Sequence, residues 1–201
     1  MKLAPFKSCM WVLVGVHVLM VSLASTSKYY DSSLGGPYKT ENHYIWVTAV
    51  PEVEAFVRQY RKSHGAKSDI EPRLRQLLGL TPSANITKFV EFWVKPEDLF
   101  RPAPDNEVND RSATLSLPED TPSWYREWFN DLRASQYFQS SVPSHNAHPW
   151  TQLGYTYDRG DSGSEQGVSE FVIKENSTVI VKSITDIEDY ALNASTNVES
   201  P

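Results

Sequence analysis

The sequence predicts a single α+β domain: a mixed or mainly antiparallel sheet flanked by about three helices, with a C-terminal three-stranded meander. Two features carry the helices and the first strands. Apolar residues recur at helical spacing over 51–63, 69–78 and 122–136, and short runs near 43–50 and 86–94 alternate at the strand period of two. A third feature carries the meander. Residues 143–184 hold three strand-like runs, at 153–158, 170–173 and 178–184, separated by turn residues.

The chain has 201 residues, enough for one domain with tails, and six tryptophans among many aromatics, so a core needs no covalent staples. Its formal charge is −6. Residues 1–24 read as a signal peptide, or as a signal anchor if they stay attached. Lys2 and Lys7 supply a positive start, residues 9–24 are mostly apolar, and Ser22-Leu23-Ala24 forms a small-x-small site before Ser25. With that leader gone, 17 of the 19 basic residues remain against 25 acidic ones. This acidic balance argues against stable binding to a nucleic-acid backbone, which needs clustered Lys and Arg. The one cysteine, Cys9, lies within the leader, so a mature chain would hold no thiol and no disulfide. The reading is therefore a secreted or periplasmic protein. Membrane attachment follows only if the first segment is not cleaved.

Residues 25–42, rich in Ser, Gly and Tyr, read as a flexible arm, with Tyr29 and Tyr30 able to fold back. The globular domain is set at 43–190. Its first strand, 43–50, carries Tyr44, Trp46 and Thr48 on one face and Ile45, Val47 and Ala49 on the other, as a central strand does. Pro51 suits the first turn of the next helix, where Val53, Phe56, Val57 and Tyr60 line one side and Gly65 ends it. In the second helix Ile70, Leu74, Leu77 and Leu78 form the apolar side. The strand at 86–94 sets Glu91 among Phe89 and Trp93, where a carboxylate needs an edge or a partner. Pro96 to Phe100 fits a single helical turn, and an acidic, proline-punctuated loop follows. Trp124, Trp128 and Leu132 repeat at four-residue spacing in the third helix. Residues 191–201 read as a disordered tail.

Chemistry-bearing residues concentrate late in the chain. His145 and His148 lie three apart before Pro149-Trp150, a spacing that permits an acid–base pair or, with carboxylates from elsewhere, metal ligation. Asp158, Asp161, Ser162 and Glu165 could offer oxygens to calcium, although their spacing is not that of an EF-hand. No phosphate loop and no Gly-x-Ser-x-Gly elbow occurs. Glu170 starts an apolar strand and is the first carboxylate to test, with Tyr155 nearby in sequence. The run 169–181, a glutamate before an apolar strand, a turn and another apolar strand, resembles the closing strands of ADP-ribosyltransferases. That resemblance implies that Glu170 binds the nicotinamide-side ribose and stabilises an oxocarbenium-like transition state. It also implies that Arg101 anchors the NAD phosphates and that Thr156 belongs to a middle motif. Val168 and Asn176-Ser177 depart from the family pattern.

The residues thus predict an exported binding or interaction module whose ligand or protein partner is unknown. The alternative is an exported enzyme acting on NAD or nucleic acid, through Glu170 with His145, His148 or Tyr155. The residues assign no cofactor and no metal site.

Overall fold

Apolar residues on both faces of several short strands force a sheet covered on both sides, and the computed structural model shows one. It describes residues 13–14, 16–65, 68–81, 84–109, 114–137, 149–160 and 163–196. In chain order the elements are β1 (Leu13–Val14), β2 (His17–Ala24), β3 (Pro37–Lys39), β4 (Ile45–Ala49), α1 (Val50–His64), α2 (Glu71–Leu77), β5 (Lys88–Val94), β6 (Leu99–Phe100), α3 (Ser123–Tyr137), β7 (Tyr155–Tyr157), β8 (Gln166–Ser169), β9 (Phe171–Ile173), β10 (Thr178–Asp186) and α4 (Ile187–Thr196). The main sheet runs β3-β10-β5-β2-β4-β9-β6, all neighbours antiparallel, with β1 folded onto β2. β7 and β8 form a separate ribbon. The α+β expectation holds, with four helices among the described residues.

Register fixes the two faces. Val21 pairs with both Glu91 and Thr48, and Trp46 pairs with Val172, so these residues share one side of the sheet. On that side Val53 and Val57 of α1, Leu74 and Leu77 of α2, and Tyr190 and Ala194 of α4 pack against Leu19, Val21 and Phe89. Further along the same side, Tyr125 and Phe129 of α3 pack against Phe100, Val172 and Trp150. The opposite side buries Met20, Val47, Phe92, Phe171 and Val181 under Tyr30 and Tyr38. Glu91 finds its partners within the sheet: Lys182 Nζ and Ser183 Oγ each lie 2.8 Å from Oε2.

Four expectations meet the described structure. First, the apolar run taken for a leader supplies β2, which pairs with β5 over seven residues and with β4 over two. Val18, Leu19, Met20 and Val21 are buried. A strand buried on both faces reads as a continuous apolar run, the same pattern that the leader rule detects. Second, residues 25–42 are ordered: β3 lies on the sheet edge and the Tyr30 ring sits 5.4 Å from that of Phe92. Thr40, fully buried, accepts from Ser177 N at 3.0 Å and donates to Lys174 O at 2.8 Å. Third, the tail expected from 191 begins as helix, with Ala191 and Ala194 buried in α4. Fourth, the late strands exist but make no meander. β8 pairs with β7, β9 inserts between β4 and β6, and β10 crosses to pair with β5 and β3. Phe171, Val172 and Ile173 are buried on both faces, so β9 takes a neighbour on each side and cannot remain a hairpin arm.

The central position of β2 sets a stability prediction. Met20→Ala is expected to cost ~2–5 kcal/mol, the range for emptying a buried methionine site. A chain starting at Ser25 is expected to show no cooperative transition in thermal unfolding followed by circular dichroism. A cooperative melt of that shortened chain would refute the role given to β2.

Candidate functional site

The bend between β8 and β9 places Glu170. β8 belongs to the small ribbon and β9 to the main sheet, so the chain changes partners at this residue, whose N–H donates to Gly154 O at 3.0 Å. Three contacts hold the approach to it. Glu52, in the first turn of α1, accepts from Ser169 N and from Ser169 Oγ, each at 2.7 Å. Thr156 Oγ1 donates to Leu77 O at 2.6 Å and accepts from Val168 N at 3.1 Å, tying the ribbon to the end of α2. Gly167 permits that approach, since a Cβ there would stand 2.1 Å from Thr156 Oγ1 and 2.6 Å from Leu77 O.

A cavity of about 110 Å³ opens beside Glu170. Its position follows from the sheet. The β2–β4 ladder consists of Met20↔Ala49 and Val21↔Thr48 and then stops. The residues that would have paired next, Ser22, Leu23, Trp46 and Val47, line the cavity instead. Leu78 and Leu80 close it from the segment after α2. Leu23, Leu78 and Leu80 are half-buried and Trp46 is 36 % exposed, so the mouth reaches the surface through an apolar rim.

The floor is polar. Thr48, Thr156 and Glu170 all line the cavity. Continuing the β4–β9 register one step beyond Val47↔Phe171 sets Thr48 beside Glu170, on the helix side of the sheet. Glu170 Oε2 and Thr48 Oγ1 are buried without a hydrogen-bond partner among the described residues. Glu170 as a whole is half-buried, and its Oε2 is buried. Burial pushes the carboxyl up to about 8, with no charged neighbour contributing. At neutral pH it is mostly protonated.

Of the residues named from sequence, the fold brings Glu170 and Thr156 to one cavity. Tyr155 pairs with Ser169 in the ribbon and is not a lining residue. Arg101 is buried against Gly154, where a Cβ would stand 2.4 Å from Arg101 Cδ, and it too lies off the cavity. His145 and His148 lie outside the described residues. Asp158, offered above as a calcium ligand, is held by Arg73 through two bonds of 2.7 and 2.6 Å, and Glu165 accepts from Tyr157 Oη at 2.7 Å. Among the described residues no cluster of three or more His, Cys, Asp or Glu is arranged for a metal. Sequence reasoning did not single out Thr48. Its signal was a hydroxyl on a strand otherwise apolar on both faces.

A wider groove of about 570 Å³ runs between Tyr44, Trp124 and Trp128, with Glu127, Asp131 and Glu175 at its rim. Those three carboxylates are exposed, and Lys174 Nζ stands 5.8 Å from the centre of the Trp124 ring. We place the candidate site at the smaller cavity, because Glu170 and Thr48, each with a buried oxygen lacking a partner among the described residues, line it, whereas Tyr190, whose Oη also lacks one, lines neither cavity. Comparison with protein-family models, with curated proteins and with solved structures finds no match to this chain.

The carboxyl predicts a pH dependence of stability. Between its ordinary value of 4.5 and about 8, the folded chain keeps a proton that the unfolded chain has lost. Its contribution is therefore complete below pH 4.5, falls as pH rises and levels off above pH 8. Relative to Glu170→Gln, the wild type is expected to lose roughly 3–5 kcal/mol across that window. Urea unfolding of both proteins at several pH values measures this. Parallel pH profiles would show that Glu170 does not titrate in this way.

Proposed function

We propose that the chain is a binding module that takes a small, mostly apolar ligand with one polar head group into the cavity floored by Glu170. One observation carries this reading: two buried oxygens without partners sit at the base of an apolar cavity that opens to the surface. Each such group costs ~1–3 kcal/mol when left unsatisfied, and buried polar atoms are otherwise paired almost without exception. A head group seated on the floor would satisfy both, and the apolar rim would bury its body.

A second reading has one observation behind it. A carboxyl pushed up to about 8 can trade a proton near neutral pH, as a general acid or base does. The enzyme acting on NAD or nucleic acid draws on that and on Thr156, which shares the cavity. Tyr155 and Arg101 are not in the cavity, His145 and His148 lie outside the described residues, and about 110 Å³ is far below the ~300–1,000 Å³ of pockets that hold whole organic ligands. Both readings are argued for the chain that retains β2. Among the described residues no helix is long and apolar enough to cross a membrane.

The test is a thermal-shift screen of compounds of about four to six heavy atoms, each with one polar group. A ligand at a hundred times its Kd should add ~2.7 kcal/mol to stability. Leu80→Trp, at the rim, is expected to block that gain without unfolding the protein. Stabilisation that survives Leu80→Trp would move the site elsewhere. Release of nicotinamide from NAD by the wild type, absent in Glu170→Gln, would replace the binding reading with the enzymatic one.

A further inference from the structure

We infer that the cavity is a receptor for a short-chain primary amine, its ammonium group held by the oxygens of Glu170, Thr48 and Thr156 and its alkyl chain laid against Val21, Leu23, Leu78 and Leu80. The inference rests on the cavity being a ligand site at all, and it adds the chemical class.

The lining makes the choice. Its polar side chains are one carboxyl and the hydroxyls of threonine and serine, and among the described residues it includes no Lys, Arg or His. An anionic head would meet no cation there. An ammonium group carries three donors and no acceptor, which complements a floor of oxygens. Glu170 Oε2 and Thr48 Oγ1 are unpartnered, so two of those donors have waiting acceptors. Thr156 Oγ1 already donates to Leu77 O and accepts from Val168 N, and it keeps a second lone pair for the third. The indole of Trp46 at the rim adds an electron-rich face for a cation.

Size sets the chain length. A dry cavity of about 150 Å³ holds benzene, six heavy atoms. The present volume of about 110 Å³ then suits about four or five, the length of n-butylamine.

Binding has a proton signature. The empty cavity holds a protonated carboxyl, because burial disfavours its charge. A bound ammonium stabilises the carboxylate, so the carboxyl O–H breaks, its proton passes to the buffer, and the freed oxygen accepts from N–H. Among the described residues that line the cavity, Glu170 is the one ionisable group. Glu52 of α1 is engaged by Ser169, Asp158 beside the ribbon is locked to Arg73 of α2, Arg75 of α2 is paired with Glu71, and Glu91 on β5 is paired with Lys182 of β10.

Isothermal titration calorimetry of the full chain tests this, with n-butylamine hydrochloride, 1-butanol and butanamide as probes. The runs use about pH 6.5, between the unfolded and folded values, in two buffers of different ionisation enthalpy. The amine is expected to bind at least ~tenfold more tightly than either neutral probe and to release close to one proton per site. Glu170→Gln should abolish the proton release and the preference. Thr48→Val, which leaves the carboxyl in place, should weaken the amine and keep the release. If the neutral probes bind as tightly as the amine with no proton released, the cavity stands as a ligand site and the amine inference falls. Amine affinity unchanged in both variants also overturns it. If no probe binds, the binding reading falls with it.

Discussion

Strand β2 is the constraint from which the rest of the molecule follows. It lies between β5 and β4 and, among the described residues, joins two three-stranded groups, β3-β10-β5 on one side and β4-β9-β6 on the other. Its two ladders are unequal: seven residue pairs toward β5 and two toward β4. The long ladder gives the sheet its continuity. The short one leaves the strands to separate after Val21↔Thr48, and side chains that would have been covered by a neighbouring strand face an opening instead. The same strand therefore holds the sheet together and creates its cavity. Burial on both faces makes this position intolerant of polar substitution, because Val18 and Met20 meet one core and Leu19 and Val21 the other.

The helices complete the arrangement by taking one side of the sheet in two groups. α1, α2 and α4 cover the β2–β5 region, and α3 covers β9 and β6. Glu170 lies where the chain leaves the β7–β8 ribbon to enter β9, near the line between those groups. Glu52 from α1 and Leu77 O from α2 reach across to the ribbon and fix the backbone before it. The carboxyl is thus carried on a braced bend, which keeps it directed at the cavity instead of at water.

Much of this was legible from local pattern. The periodicity of Val53, Val57 and Tyr60, of Leu74 and Leu77, and of Trp124 and Trp128 located three helices within a few residues, and alternation located β4 and β5. What escaped was non-local. β9 and β10 look like hairpin arms in sequence, yet each finds partners more than seventy residues away, and nothing in the spacing of Phe171 or Val179 encodes which strand that is. β2 was hidden for a different reason. Burial on both faces erases alternation, and a short apolar run preceded by lysines satisfies the physics of a leader as well as that of a central strand. Glu170 was reachable because a carboxylate at the start of an apolar run is conspicuous. Thr48 was not, because a lone hydroxyl in a strand acquires meaning only when its neighbour across the ladder is known.

The chemical character of the cavity follows from what a fold tolerates. A purely structural carboxyl at this depth would have been expected to recruit a basic partner, as Asp158 recruits Arg73 and Glu91 recruits Lys182. Both of those pairs are built from residues distant in sequence, so the chain is able to supply such partners where they serve stability. At Glu170 it supplies apolar residues and hydroxyls, and burial then holds the carboxyl in its neutral form. An isosteric apolar residue would have avoided that cost altogether. The combination of a retained carboxyl, a threonine oxygen without a partner among the described residues and an apolar mouth is the ground for proposing that a ligand supplies the missing partner.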